Sequence, residues 1–141
     1  MKTTIQINGK DVEITLTAEQ VAQIQKSKEI TTLEDAVSYL GDSDKDVIEL
    51  NKLIKADCNT NFQELVVIIK AINERVVLNW DDDSVKKYYV WFNMQGKGSY
   101  CGWSCYYTLS LVPARLCFTT SEKALHFIKY FEDKYREYMK K

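Results

Sequence analysis

Four cysteines and a single histidine are the residues of this 141-residue chain best suited to metal or nucleophilic chemistry. Cys101 and Cys105 lie four apart in a segment that reads as a strand, so both point to one face. Cys117 on a neighbouring strand, with Cys58 or His126, would complete a ligand set. Structural zinc sites, however, are built from closely spaced cysteine pairs used twice, and there is no second pair here. Free cysteine is also among the most commonly buried residue types. The expectation is therefore core packing without zinc, and no disulfide in a reducing cytosol. A Cys–His dyad of His126 with Cys117 or Cys101 has no local signature, and no Ser and Asp partners for a triad can be picked out. Gly96 and Gly98 mark a hairpin turn rather than a phosphate cradle. Asp81-Asp82-Asp83 lacks the glycine and the alternating acidic spacing of a calcium loop; it reads as a solvated turn whose carboxylates accept backbone amides. No catalytic residue, cofactor or metal is assigned, and the chain is expected not to be an enzyme.

Aromatic residues carry more information. Trp80, Tyr88, Tyr89, Trp91, Phe92, Tyr100, Trp103, Tyr106 and Tyr107 fall within 28 residues. Strand alternation puts Tyr88, Val90 and Phe92 on one face and Tyr89 and Trp91 on the other. It likewise separates Trp103, Cys105 and Tyr107 from Ser104 and Tyr106. A sheet covered by one helix layer buries only one face, so the second is either covered or a binding platform. Tyr and Trp anchor protein interfaces because a large apolar body ends in a polar handle. The candidate partner-binding residues are Tyr89, Trp91 and Tyr106, with Arg115 beside them to stack on a ring or pair with an anion. A protein partner is the first reading. Single-stranded nucleic acid, with Lys86, Lys87, Lys97 and Arg115 along its backbone, is the second. A subunit interface in a virion is the third.

The elements that must position these residues follow from periodicity. Ile5 and Ile7, then Val12, Ile14 and Leu16, alternate with polar residues around Asn8-Gly9 and predict a β-hairpin over 1–16. A four-residue loop, with Ile7 opposite Val12, keeps the apolar face intact. A helix begins after Thr17, with Gln20 in the capping-box position. Further helices are expected over about 33–40, stopped by Gly41, over 44–57, and from Thr60 with Gln63 closing a capping box. The helix after Thr60 is apolar over so much of its circumference that it reads as the central core helix. Three strands follow as an antiparallel meander: Lys86 to Met94, Tyr100 to Val112, where Gly102 is a position open to a bulge, and Arg115 to Thr119 beyond Pro113. The last helix lines Ala124, Phe127, Ile128, Phe131, Tyr135 and Tyr138 along the face that packs on the sheet. Leu65, Ile69, Phe118, Phe127 and Phe131 are expected in one cluster. The whole is an α+β fold in a single domain, 1–141, with the hairpin 1–16 as its most detachable part.

Composition sets the outer bounds. Apolar residues make up 45% and charged residues 28%, as in an ordinary globular protein. The longest apolar run, Leu65 to Ile69, is far too short for a membrane span, and the N-terminus lacks a secretory core. A cytoplasmic location without membrane contact is the expectation. The net charge of −1 argues against a protein that coats duplex DNA. It conceals an asymmetry. Residues 1–83 hold 9 basic and 16 acidic residues, a net of −7, and residues 84–141 hold 10 basic and 4 acidic, a net of +6. Because the basic residues are scattered, the favoured reading is compensation within the molecule.

The succession LEDAVSYLG, ELVVIIKAINE, NW, KKYYVWF and RLCFTT–E–FEDKY lies within residues 33–138. In order and spacing it resembles a family of small uncharacterised proteins of bacteriophages and mobile elements of gut Bacteroidales. Pro113-Ala114 stands where that family typically has Gly-Ser, and His126-Phe127-Ile128 where small residues are usual. The resemblance implies a phage-type accessory protein and transfers no catalytic residue.

Overall fold

A computed structural model of the chain describes residues 2–7, 10–15, 17–20, 30–92, 101–107 and 112–140. The turn expected over 95–99, residues 108–111 of the expected second strand, Lys97 and Tyr100 lie outside the described residues. The architecture is α+β, with a C-terminal helix against an antiparallel pair of strands.

Strands β1 (Lys2–Ile7) and β2 (Lys10–Thr15) pair antiparallel, with Ile5 opposite Val12 and Ile7 opposite Lys10. The expected register, Ile7 opposite Val12, is thereby corrected by two residues. A one-residue slip would turn every apolar side chain over, but a two-residue slip leaves the same residues on the same face. The apolar pattern therefore does not choose between the two registers. Turn chemistry does, because Asn-Gly is the sequence that favours a two-residue connection. Thr17 and Gln20 form a reciprocal capping box: the Thr17 amide donates to Gln20 Oε1 at 2.9 Å and the Gln20 amide to Thr17 Oγ1 at 3.2 Å.

Helix α1 (Leu33–Leu40) starts with the same device. Thr32 Oγ1 accepts from the Asp35 amide at 3.1 Å, and Asp35 Oδ2 accepts from the Thr32 amide at 2.9 Å and the Thr31 amide at 3.0 Å. It stops at Gly41, whose φ of +83° suits a residue without Cβ. Asp44 caps α2 (Lys45–Lys55) by accepting from the Asp46 amide. Helix α3 (Asn61–Ile72) buries Leu65, Val66, Val67, Ile68, Ile69, Ala71 and Ile72, and packs against α1, α2 and the C-terminal helix. It is the central helix its composition predicts. Gln63 does not close a capping box. It is buried, and its Nε2 donates to the Asp46 carbonyl at 2.9 Å, tying α3 to the first turn of α2.

Strands β3 (Lys87–Phe92) and β4 (Cys101–Tyr106) pair antiparallel without interruption, Trp91 standing opposite Gly102. No bulge occurs at that glycine. The third strand of the expected meander is also corrected. Ala114–Leu116 form a 3-10 turn that follows directly from Pro113. Only Phe118 pairs, and it pairs with Tyr88 on β3 rather than with β4, through two backbone hydrogen bonds of 3.0 and 2.6 Å. Alternation turns the polar groups of Cys117 and Thr119 to the opposite side. There the buried Asn73 side chain meets them: Nδ2 donates to the Cys117 carbonyl at 2.9 Å, and Oδ1 accepts from the Thr119 amide at 3.1 Å. A side chain at the end of α3 thus does what a neighbouring strand would do.

Helix α4 (Ser121–Lys140) turns Ala124, Phe127, Phe131 and Tyr135 inward, against both α3 and the sheet. Leu65, Ile69, Phe118, Phe127 and Phe131 share one buried cluster, as their periodicity predicts. Phe127 contacts the rings of Phe118, Phe131 and Tyr135 at centroid distances of 5.1, 5.6 and 5.7 Å. Among the described residues, no helix is long and apolar enough to cross a membrane.

Candidate partner-binding face

The β3–β4 register divides the aromatic residues as alternation predicts. Tyr88, Val90 and Phe92 face the core, opposite Cys105, Trp103 and Cys101 respectively. Val90 is fully part of the core, and Phe92 makes an edge contact with Tyr135 of α4 at 5.2 Å. Lys87, Tyr89 and Trp91 take the other face, opposite Tyr106, Ser104 and Gly102. Tyr89, Trp91 and Tyr106 therefore share a face; the Tyr106 side chain lies outside what the structure describes.

Trp91 is 36% exposed. Its indole lies across the backbone of Gly102: a Cβ at that position would stand 2.9 Å from Trp91 Cζ2 and 3.2 Å from Cε2. That close approach is the reason β4 carries a glycine in mid-strand. The ring packs against that glycine and keeps 36% of its surface exposed. Tyr89 is half-buried beside it.

Lys87 is fully buried on this same face. Its Nζ donates to the carbonyls of Asp82 and Tyr107 at 2.6 Å each and lies 5.5 Å from the Trp80 ring centroid. A buried ammonium is tolerated only when its hydrogen bonds are made, and here they fasten the loop before β3 to the end of β4. Asp82 forms the solvated turn expected of the acidic run, with Oδ1 accepting from the Ser84 amide at 2.9 Å and hydroxyl at 2.6 Å.

Arg115 does not join the aromatic face through any of these contacts. It sits on the 3-10 turn with its guanidinium on Asp46 Oδ1. Lys70 Nζ holds Asp46 Oδ2 at 2.7 Å and Asp44 at 2.8 Å, so four charges join α2, α3 and the 3-10 turn. Burial pushes the Asp46 carboxyl up, but the Lys70 and Arg115 hydrogen bonds outweigh it and hold the group below the ordinary 3.8. Asp44 is lowered in the same way by Lys70. Burial likewise opposes ionisation of Glu64, and the Lys134 and Thr60 hydrogen bonds bring it below the ordinary 4.5. An unfolded chain, with ordinary carboxylates, takes up protons first. The stabilisation from these three groups is therefore complete above about pH 5 and declines as pH falls through and below 4. Urea midpoints measured at about pH 6 and pH 3 are expected to differ, and Asp46→Asn to narrow the difference. An equal pH dependence in both proteins would deny Asp46 that role.

Arg115–Asp46, Lys123–Glu74 and Lys134–Glu64 each join a cation from the basic part of the chain to an acid from the acidic part. Compensation within the molecule is what the charge asymmetry provides.

Cys117 is buried, Cys58 exposed and Cys105 intermediate, and among the described residues no group of three or more His, Cys, Asp or Glu side chains converges to hold a metal. His126 places Nε2 at 2.7 Å from the Ile30 carbonyl, an oxygen that only accepts, so this nitrogen carries the proton. Its role there is to tie α4 to the segment entering α1.

Sequence reasoning missed Asn73, the Asp46 cluster and the burial of Lys87. Asn73 carried a weak signal, a polar residue directly after an almost wholly apolar helix. Lys87 carried none, because alternation groups it with Tyr89 and Trp91 and its partners are main-chain carbonyls. The Asp46–Arg115 pair spans 69 residues and left no local trace. No protein-family model, curated protein or solved structure matches the chain.

Proposed function

We propose that the chain is a non-enzymatic accessory protein of a phage or mobile element, and that it binds a protein partner through the outer face of β3–β4. The observation that carries this reading is Trp91, a ring laid over Gly102 on the side of the sheet turned away from the core. Such a ring loses little conformational freedom on binding and brings a large apolar area to an interface. Tyr89 extends the same patch. Val90, Tyr88 and Phe92 belong to the core side of the same strand, which leaves Trp91 on the face opposite to it.

Single-stranded nucleic acid fits this face less well. One of the four cations it would use, Lys87, is buried inside the protein with its ammonium on two main-chain carbonyls. A nucleic-acid groove needs its cations along the surface.

Affinity capture from host lysate, with wild type and Trp91→Ala in parallel, tests the reading. Trp91→Ala is expected to weaken capture of the specific partner by about 2 kcal/mol or more and to change stability by less than about 1 kcal/mol. A partner retained equally by both proteins would place the interface elsewhere. Retention of oligonucleotide alone would favour nucleic acid, and self-association lost on substitution would favour assembly.

A further inference from the structure

A cavity of about 720 Å³ opens between the start of α2, the last turns of α3, residues 76–80 and the 3-10 turn. Its size is that of a small-molecule site, since such pockets run from about 300 to 1,000 Å³. Its apolar lining comes from Val66 and Ile69 of α3, Leu78 and Trp80. Lys45, Lys70, Arg75 and Arg115 also line it, with Asp46 the one carboxylate among its lining residues. Asp44 adds a second carboxylate behind Lys70, and the Arg75 guanidinium is turned to the Tyr39 and Leu40 carbonyls, which leaves Lys45, Lys70 and Arg115 against two acids. The excess positive charge is notable because this side of the molecule is built mostly from the acidic part of the chain.

The wall over 76–80 is fixed by its entry. Glu74 and Arg75 both take left-handed backbone conformations, with φ of 56° and 65°. Two consecutive non-glycine residues in that region carry strain, of the kind concentrated at ligand clamps. They are held by the Arg75 guanidinium, which donates to the Leu40 carbonyl at 2.8 Å and the Tyr39 carbonyl at 3.2 Å. Beyond this turn Val76 and Val77 stand 55% and 89% exposed at the cavity's edge. An aliphatic pair left in water beside an apolar cavity is surface that an occupant would cover.

We propose that this cavity binds a small amphipathic anion, a carboxylate with an aliphatic or aromatic body. The body lies against Val66, Ile69, Leu78 and Trp80, and the carboxylate meets Arg115 and Lys45. Arg115 suits the head group: its side chain is half-exposed, and the bond to Asp46 comes from Nη2, one arm of a fork whose geometry matches carboxylates. The Lys70 bridges to Asp44 and Asp46 keep the second cation of the cluster in place without the ligand.

Decanoate is the probe, with decyltrimethylammonium as the control of equal chain length and opposite charge, both followed by titration calorimetry on the full chain. Decanoate is expected to bind at one site per chain and the cation at least about tenfold more weakly. Ala114→Phe, at an exposed lining position, is expected to abolish decanoate binding by filling the cavity. Arg115→Gln is expected to weaken it about tenfold, the loss of one charge-assisted hydrogen bond. Trp91→Ala, on the outer sheet face, is expected to leave it unchanged, which separates this site from the partner-binding face. No binding of decanoate, equal binding of the two probes, or full affinity in a folded Ala114→Phe protein would overturn the proposal. Should Ala114→Phe fail to fold, unchanged affinity in Arg115→Gln would overturn it equally.

Discussion

Replacing Phe127 with Ala is expected to lower stability by about 3–5 kcal/mol. The ring is fully buried at the point where the C-terminal helix, the Phe118 segment and the rest of the core meet. It touches three other rings, and aromatic pairs contribute about 0.5–1.5 kcal/mol each beyond their burial. Relaxation into the void is limited because Phe118 is held by its bridge to Tyr88 and Tyr135 by stacking on Tyr138. Denaturant unfolding of the variant measures the loss at constant m-value. A loss below about 1 kcal/mol would mean that the helix closes on the void and that Phe127 is peripheral to the fold.

Asn73→Leu is expected to cost about 2–4 kcal/mol, although it adds apolar volume at a buried position. The substitution removes a donor from the Cys117 carbonyl and an acceptor from the Thr119 amide, and each unsatisfied buried group costs about 1–3 kcal/mol. The effect should also have a location. Phe118 is aligned with Tyr88 only because its two neighbours are held from the other side. Amide exchange at Phe118, whose N–H donates to the Tyr88 carbonyl, is expected to accelerate before exchange within α3 does. Uniform acceleration across the molecule would show that Asn73 contributes to global stability alone.

What the sequence made legible was what depends on near neighbours. The α4 stripe, the apolar girth of α3, the Thr17–Gln20 capping box and the division of aromatic residues between two faces all follow from spacings of a few residues. What it concealed depends on distant partners or on degenerate patterns. The β1–β2 pattern is unchanged by a slip of two, so alternation alone left the register open. Arg-Leu-Cys-Phe-Thr has strand composition, yet Pro113 opens a tight turn into it, only Phe118 reaches β3, and Asn73, over forty residues upstream, satisfies the segment's other edge. Arg115 looked available for the aromatic face because Asp46, its partner, lies far away in sequence. Lys87 counted as surface charge because its partners are main-chain carbonyls, which composition does not display.

The charge asymmetry that the ion pairs compensate in the fold bears on the molecule before it folds. With −7 on residues 1–83 and +6 on residues 84–141, the two parts of the denatured chain carry opposite net charge. Parts of opposite net charge attract, so the disordered ensemble is expected to be more compact at low ionic strength. Salt loosens that ensemble over the Debye length and swells it. Less new surface is then exposed on unfolding in dilute buffer than in concentrated salt, and the reference state from which folding begins is itself set by the electrolyte.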